Sequence, residues 1–339
     1  MRAQLETALL RLWYGPQRPP LSLRLLARLF ALTVRLRRLA YRHLWPPAPL
    51  AVPVVVVGNL TVGGSGKTPV VLALAEHLTR AGARPGIVLR GYGGRRRVPV
   101  HRVRPDDDPG VVGDEALLLV RRSGVPVVVA PARRVGAEAL IEAGCSVVLS
   151  DDGLQHYALP RTLELAVIDG TRGLGNGYCL PAGPLREPAA RLAEVDAVIV
   201  NGEGEPPPVG AVPVHSLRLI AGDAINLRTG ERRALAAFAD RQVHALAGIG
   251  HPERFFAMLR AHGLRPLVHA LPDHYAYEPA SLDLVPPLPV LMTEKDAVKC
   301  AAFAPADCWY VPVTAQLPAA LLAQLDARLA GARMPGSRT

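Results

Sequence analysis

Short apolar, β-branched runs alternating with helical stretches predict an α/β protein built on a mostly parallel sheet. Three observations carry that expectation. Residues 52–57 (VPVVVV) read as a buried parallel strand. The chain then enters a glycine-rich loop and a Gly-Lys-Thr triplet at 66–68, after which Val70, Leu72, Leu74 and Leu78 mark a helical pattern. Further strand-like runs follow at 146–150 (SVVLS), 167–169, 197–201 (AVIVN), 243–247 (VHALA), 289–292 (PVLM) and 309–313 (WYVPV).

A chain of 339 residues is too long for one ordinary core, so two units are expected. Residues 1–48 read as a basic amphipathic helical segment and 49–204 as the nucleotide-binding core. Residues 205–237, with prolines at 206–208 and a hairpin turning at Thr229-Gly230, read as the linker. A second, smaller α/β unit covers 238–330, and 331–339 is a tail.

Between the prolines at 19–20 and 46–47, residues 21–44 predict a helix. Arg24, Arg28, Arg35, Arg38 and Arg42 fall within roughly 40° of one line on it. Leucines 25, 26, 29, 32, 36 and 39 cover much of the rest. Each arginine at mid-bilayer costs about 2.5–3.5 kcal/mol, so spanning is disfavoured. Two arrangements remain open: a helix lying in a membrane interface, or one docked on its own domain with a solvated basic face. No later stretch is apolar enough to span a bilayer, and the first ten residues carry Glu6 and lack the apolar core of a cleavable signal. The expected location is the cytoplasm or the cytoplasmic face of a membrane.

The loop 58–68 (GNLTVGGSGKT) has the context of a P-loop: strand, glycine-rich turn, Gly-Lys-Thr, helix. Glycines let backbone N–H groups turn towards phosphate oxygens, and the helix N-terminus adds positive potential. Thr61, Val62, Gly63, Gly64, Ser65, Gly66, Lys67 and Thr68 are the candidate ATP contacts, with Lys67 on the β- and γ-phosphates and the Thr68 hydroxyl on Mg²⁺. The strict pattern wants glycine at 61, where this chain has threonine. The core is therefore expected to be of the P-loop NTPase type. Asp151 and Asp152 end the 146–150 strand, where a metal-binding aspartate of such a fold sits, and are candidate Mg²⁺ ligands; a solvated acidic turn is the alternative. Gly113-Asp114-Glu115 opens an apolar helical run and is either catalytic or a dipole-favoured helix start.

The formal net charge of +10 attracts anionic partners. No RNP-like aromatic pattern or zinc-finger spacing accompanies it, so nucleic acid is not expected. The four cysteines form no CxxC pair, and neither a metal site nor a disulfide framework is implied. The run Arg95-Arg96-Arg97 reads as a solvated loop or a contact for an anionic headgroup.

Several stretches together resemble the tetraacyldisaccharide 4′-kinase family of lipid A biosynthesis. They are 57–69 (VGNLTVGGSGKTP), 90–94 (RGYGG), 113–115 (GDE), 150–157 (SDDGLQHY) and 169–188 (DGTRGLGNGYCLPAGPLREP). To these add 248–256 (GIGHPERFF), 272–275 (PDHY) and 293–299 (TEKDAVK). The glycine-rich loop has the family's form, including the absence of glycine at 61. The resemblance implies transfer of the ATP γ-phosphate to the 4′-hydroxyl of a tetraacylated glucosamine disaccharide 1-phosphate, giving lipid IVA, at the cytoplasmic face of the inner membrane. It implies Asp114 as catalytic base with His274 as partner, and Asp151 and Asp152 serving Mg²⁺ and the transferring phosphate. Arg90, Tyr92, Gln155, His156, Arg172 and Asn176 are implied substrate or phosphate contacts. Expected partners are the lipid-linked disaccharide and an anionic membrane surface, with no obligate protein partner evident. A nucleotide-driven conformational switch is the competing reading; it would hydrolyse ATP without an acceptor sugar. Lys295 is open between a phosphate contact and an ion pair.

Overall fold

The computed structural model describes residues 2–95 and 98–332. Arg96 and Arg97, and 333–339 of the expected tail, lie outside the described residues.

Two helices lead the chain, α1 (Arg2–Tyr14) and α2 (Leu21–His43). The first sheet then begins: β1 (Val54–Gly58), α3 (Lys67–Arg80), β2 (Pro85–Leu89), the short edge strand β3 (His101–Arg102), α4 (Pro109–Val112), α5 (Asp114–Ser123), β4 (Val127–Val129) and α6 (Arg133–Glu142). It continues with β5 (Val147–Asp151), β6 (Leu163–Asp169), β7 (Ala197–Asn201) and β8 (Val214–Ala221). The second sheet takes β9 (Ala224–Asn226), β10 (Arg232–Arg233), β11 (Gln242–Ala247), α7 (Pro252–Ala261), β12 (Arg265–Ala270), β13 (Val290–Thr293), α8 (Glu294–Cys300) and β14 (Cys308–Val311). The chain then returns to the first sheet with β15 (Val313–Gln316) and α9 (Ala319–Ala332).

The first sheet has the order β15-β8-β7-β6-β1-β5-β2-β4-β3, parallel except for its two edge strands. The second runs β10-β9-β14-β13-β11-β12, with four parallel strands and an antiparallel hairpin at one edge. Strand β1 lies between β5 and β6, so the strand order reverses there, and their carboxyl ends form the crevice where open α/β sheets bind ligands.

Side chains alternate across the central strand. Val55 and Val57 join Val70 and Leu74 of α3, Leu117 of α5 and Leu321 and Leu325 of α9 in one buried layer. Val54 and Val56 join Leu140 of α6 and Ala27 of α2 in the other. Burial on both faces explains why the strand reads as a continuous apolar run.

The structure divides two stretches that the sequence reading kept whole. Of the expected linker 205–237, β8 is a parallel strand of the first sheet, and only the β9–β10 hairpin edges the second. The expected strand 309–313 breaks at Pro312 into β14 and β15, which belong to different sheets. Proline has no N–H to continue a ladder, and its carbonyl instead accepts from Gly222. The C-terminal helix thus completes the first core, not the second.

Helix α2 is docked through its small and aromatic side. Ala27, Leu23, Phe30 and Ala31 pack on the core, and Arg38 pairs with Glu194. Its leucine stripe faces outward: Leu21, Leu25, Leu26, Leu29, Leu32, Leu36 and Leu39 are each 51–61% exposed. No helix among the described residues is long and apolar enough to cross a membrane.

Candidate active site

A cleft of about 1960 Å³ lies over the carboxyl ends of β1, β5 and β6 and extends under the second sheet. One end of it is the glycine-rich loop. Gly66 precedes α3 with φ 88°, a left-handed conformation that suits glycine, and a Cβ there would run into the Asn201 amide. The back of the loop is braced by 180–188: Val62 N donates to Pro184 O, and Thr61 bridges to Leu185 as a strand pair. Thr61 is buried in that bridge and does not line the cleft, whereas Val62 to Thr68 do. Held extended, position 61 has no need of glycine.

Beside the loop, Asp152 adopts a left-handed conformation (φ 52°) that aims its carboxylate at two cations. Arg186 donates to both of its oxygens (2.9 and 2.7 Å), and Lys67 Nζ stands 3.5 Å away. Burial pushes the Asp152 carboxyl up, but Lys67 and Arg186 outweigh it and hold it far below the usual range. Asp151, the last residue of β5, is 2% exposed, and neither carboxylate oxygen has a protein hydrogen bond. Burial and the Glu115 charge push its carboxyl up. Ser65 Oγ nearby in the loop is buried without a partner too. A buried carboxylate lacking protein donors, in the same cleft lining as Thr68, fits a hard divalent cation. Among the described residues no three acidic, histidine or cysteine side chains could hold a metal by themselves.

At the other end, α5 and the 272–275 loop meet. His274 Nδ1 lies 3.0 Å from Asp114 Oδ2, across 160 residues of sequence, and Glu115 N donates to Asp114 Oδ1 (2.9 Å). Asp114 is 5% exposed and lies behind His274, which lines the cleft. Burial pushes the Asp114 carboxyl up, but the His274 hydrogen bond and the charges of Lys295, His274 and Lys299 hold it below the ordinary carboxylate range. The same hydrogen bond raises His274. The expectation that Asp114 itself meets the sugar hydroxyl therefore faces a carboxylate with both oxygens engaged. Of the pair, only His274 lines the cleft, its Nε2 3.9 Å from Asp273 Oδ1. Lys295 is committed to ion pairs with Glu115 and Asp273, each at 3.1 Å.

The remaining candidates divide. Arg90 and Tyr92 line the cleft, Tyr92 with its ring 5.1 Å from that of His274. Arg172 also lines it, donating to Gly250 O (2.7 Å) with its guanidinium 5.1 Å from the Tyr14 ring. Gln155 turns away to Asn59 O and Glu187. Asn176 holds Leu12 O and Ala182 O, which docks the end of α1. His156 is half-buried outside the cleft lining, and burial with the Arg133 charge pushes it down to about 4. The structure does not bring these three into the cleft.

Sequence reasoning missed Arg133, Arg186 and the Asp169–His251–Arg254 cluster. Arg133 opens α6, is 2% exposed and lines the cleft. Asp169 ends β6 and receives His251 Nδ1 and Arg254 Nη2, each at 3.0 Å, tying α7 to the first sheet. The available signal was position for some of them: Asp169 ends a core strand, and Arg133 and His251 follow soon after one.

Residues 20–330 match the family model described as tetraacyldisaccharide-1-P 4′-kinase, LpxK. The chain is 51% identical to the tetraacyldisaccharide 4′-kinase of Pseudomonas paraeruginosa, covering 95% of this chain and 96% of the relative. It is 53% identical to that of Alkalilimnicola ehrlichii, covering 91% and 92%. The crystal structure of LpxK from Aquifex aeolicus in complex with ATP superposes with a TM-score of 0.72 at 26% identity, over 90% of this chain and 97% of that one. The chain belongs to the tetraacyldisaccharide-1-P 4′-kinase family.

Proposed function

We infer that this cleft carries out ATP-dependent phosphorylation of the 4′-hydroxyl of a tetraacyldisaccharide 1-phosphate, giving lipid IVA in lipid A biosynthesis. The observation that carries this reading is one cleft with a phosphate cradle at one end and a buried carboxylate–imidazole pair at the other. Its volume exceeds what a single drug-sized ligand fills, as a nucleotide and a lipid sugar together require.

Backbone N–H groups of residues 63–68 and the start of α3 hold the ATP phosphates, with Lys67 on the β- and γ-phosphates. Thr68 and Asp151 would hold Mg²⁺, with Asp152 beside it. The ion supplies charge neutralisation on the phosphoryl oxygens. Arg186 and Lys67 keep Asp152 ionised. Because Asp114 accepts from Nδ1–H, neutral His274 presents an unprotonated Nε2. That nitrogen takes the proton as the sugar hydroxyl attacks the γ-phosphorus, and Asp114 orients the ring and stabilises the imidazolium. Arg90, Tyr92 and Arg172 are the proposed contacts to the sugar lipid. Gln155, His156 and Asn176 support the walls.

The outward leucine stripe of α2, with Arg24, Arg28, Arg35 and Arg42 on the same helix, supports peripheral docking on an anionic membrane at its cytoplasmic face. Co-sedimentation with anionic vesicles that is unaffected by Leu32→Ser and Leu36→Ser together would remove this docking mode.

The test is turnover of γ-labelled ATP with detergent-dispersed tetraacyldisaccharide 1-phosphate, comparing the intact chain with Asp114→Ala. Label on the sugar lipid, reduced about 10²-fold or more in the variant, supports the reading. Release of phosphate only to water would establish a nucleotide switch instead.

A further inference from the structure

Behind the catalytic pair lies a buried lysine that the mechanism above does not use. Lys299 projects from α8, and only 12% of its side chain is exposed. Its ammonium stands 3.0 Å from Asp296 Oδ1, 3.8 Å from Asp114 Oδ2 and 5.0 Å from the centre of the Tyr277 ring. Asp296 is fully buried, and its other oxygen receives Thr293 Oγ1 (2.6 Å) and Gly248 N (2.9 Å). Gly248 in turn abuts the loop that carries His274: a Cβ there would meet Pro272 O at 3.3 Å and the Tyr275 Cβ at 3.4 Å. One carboxylate of the second sheet thus anchors both the His274 loop and the lysine that faces Asp114.

We propose that Lys299 is a positioning residue for phosphoryl transfer: fixed by Asp296 and Tyr277, its ammonium holds the Asp114 carboxylate in place behind His274 and sets how firmly the pair keeps its proton. The proposal rests on the reading that Asp114 and His274 form the base. Two arguments support it. An ammonium is not buried at this depth without carboxylate partners, and here the partners are Asp296 of its own helix and Asp114 of α5. Asp114 Oδ2 is shared between His274 and Lys299, so the lysine competes for the charge that would otherwise belong to the imidazolium alone. Lys295 also acts on Asp114 by charge, but its ion pairs are with Glu115 and Asp273, whereas Lys299 stands directly beside Asp114 Oδ2. The groups facing this assembly are then His274, Lys295 and Glu115 around Asp114, Asp273 (3.9 Å from Nε2) and Lys295 around His274, and Asp296, Tyr277 and the Cys300 thiol around Lys299.

Without the ammonium, Asp114 would bind the imidazolium more tightly, and His274 would stay protonated, and inactive as a base, to higher pH. The experiment is the pH profile of kcat/KM for the lipid acceptor at saturating ATP, with melting temperatures measured alongside. Lys299→Met should move the acid limb upward by about one pH unit and lower the rate about tenfold near neutrality, with KM for ATP unchanged. Lys299→Arg should return the limb close to its original place. If Lys299→Met does not fold, Lys299→Gln, which keeps a polar head for Asp296, carries the same expectation. A lowered melting temperature with an unmoved acid limb overturns the proposal and leaves the lysine a structural group. His274→Asn separates the two claims. If that variant keeps the acid limb, the base reading itself falls. If it abolishes the limb while Lys299→Met leaves it in place, only the role of Lys299 falls.

Discussion

The two ends of the cleft are built differently. The phosphate end is nearly contiguous: Val62 to Thr68 follow one strand, Asp151 ends its neighbour with Asp152 next in the chain, and the brace 180–188 lies in the connection between β6 and β7 of the same sheet. The base end is assembled across the molecule. Asp114 comes from α5 beneath the first sheet, while His274 and Lys299 come from the second. On the proposed reading, the main phosphate contacts come from the first sheet, whereas the proton-accepting pair needs both sheets. Lys67 stands beside Asp152 within the first sheet, whereas His274 meets Asp114 only across the two sheets.

That difference has consequences of decreasing size. Lys67→Ala should cost about 10³-fold in kcat, because it removes a charge aimed at the transferring phosphoryl group. A loss below tenfold in phosphoryl-transfer assays would break the assignment of the phosphate end. Asp114→Asn keeps the shape of the base end and removes its charge. It should cost about 10²-fold in kcat while ATP affinity, measured by calorimetry, holds. An equal fall in ATP affinity would mean that the two ends are not separable.

Acidity should separate them as well. His274 is raised above its ordinary value by its bond to Asp114, and it must be neutral to accept a proton. Turnover should therefore fall as pH drops through that raised value, approaching about tenfold per unit, and level off above it. Asp152 is held far below the usual carboxylate range, so ATP binding should not follow the same limb. The smallest effect concerns the seam. Gly250 packs on the glycine-rich loop, and a Cβ there would approach Gly64 N to 2.5 Å. Gly250→Ala should raise KM for ATP about fivefold, through a clash worth about 1 kcal/mol. An unchanged KM would show that the second sheet does not press on the loop.

The same contrast governs what the sequence made legible. The phosphate end could be read from spacing alone, because strand, glycines, lysine and threonine are adjacent in the chain and physically required together. Even the threonine at 61 has a local cause, its bridge to Leu185. The base end had no such signal. Asp114 read equally well as a helix-start acid, and His274, far along the chain, had only the family resemblance to recommend it. Lys299 stayed hidden because a buried, paired cation looks like any surface basic residue until its carboxylates are found, and Arg133 because nothing in its local sequence marks it as buried. Gln155, His156 and Asn176 sit in motifs of high specificity, yet they brace loops rather than face the cleft. Motif membership marks a residue as needed without saying which way it points. The return of β15 and α9 to the first sheet was equally invisible, since strand runs carry no record of which sheet they join.

The central claim is that the second sheet supplies the base and not the nucleotide site. His274 has a left-handed backbone (φ 59°), so asparagine, which tolerates that conformation, is the substitution that changes the imidazole and little else. The direct measurement is ATP dissociation constant and label transfer to the sugar 4′-hydroxyl, both on His274→Asn. The account expects transfer to fall about 10²-fold with ATP affinity held within about twofold. Transfer at the original rate, or a parallel collapse of both quantities, would contradict it.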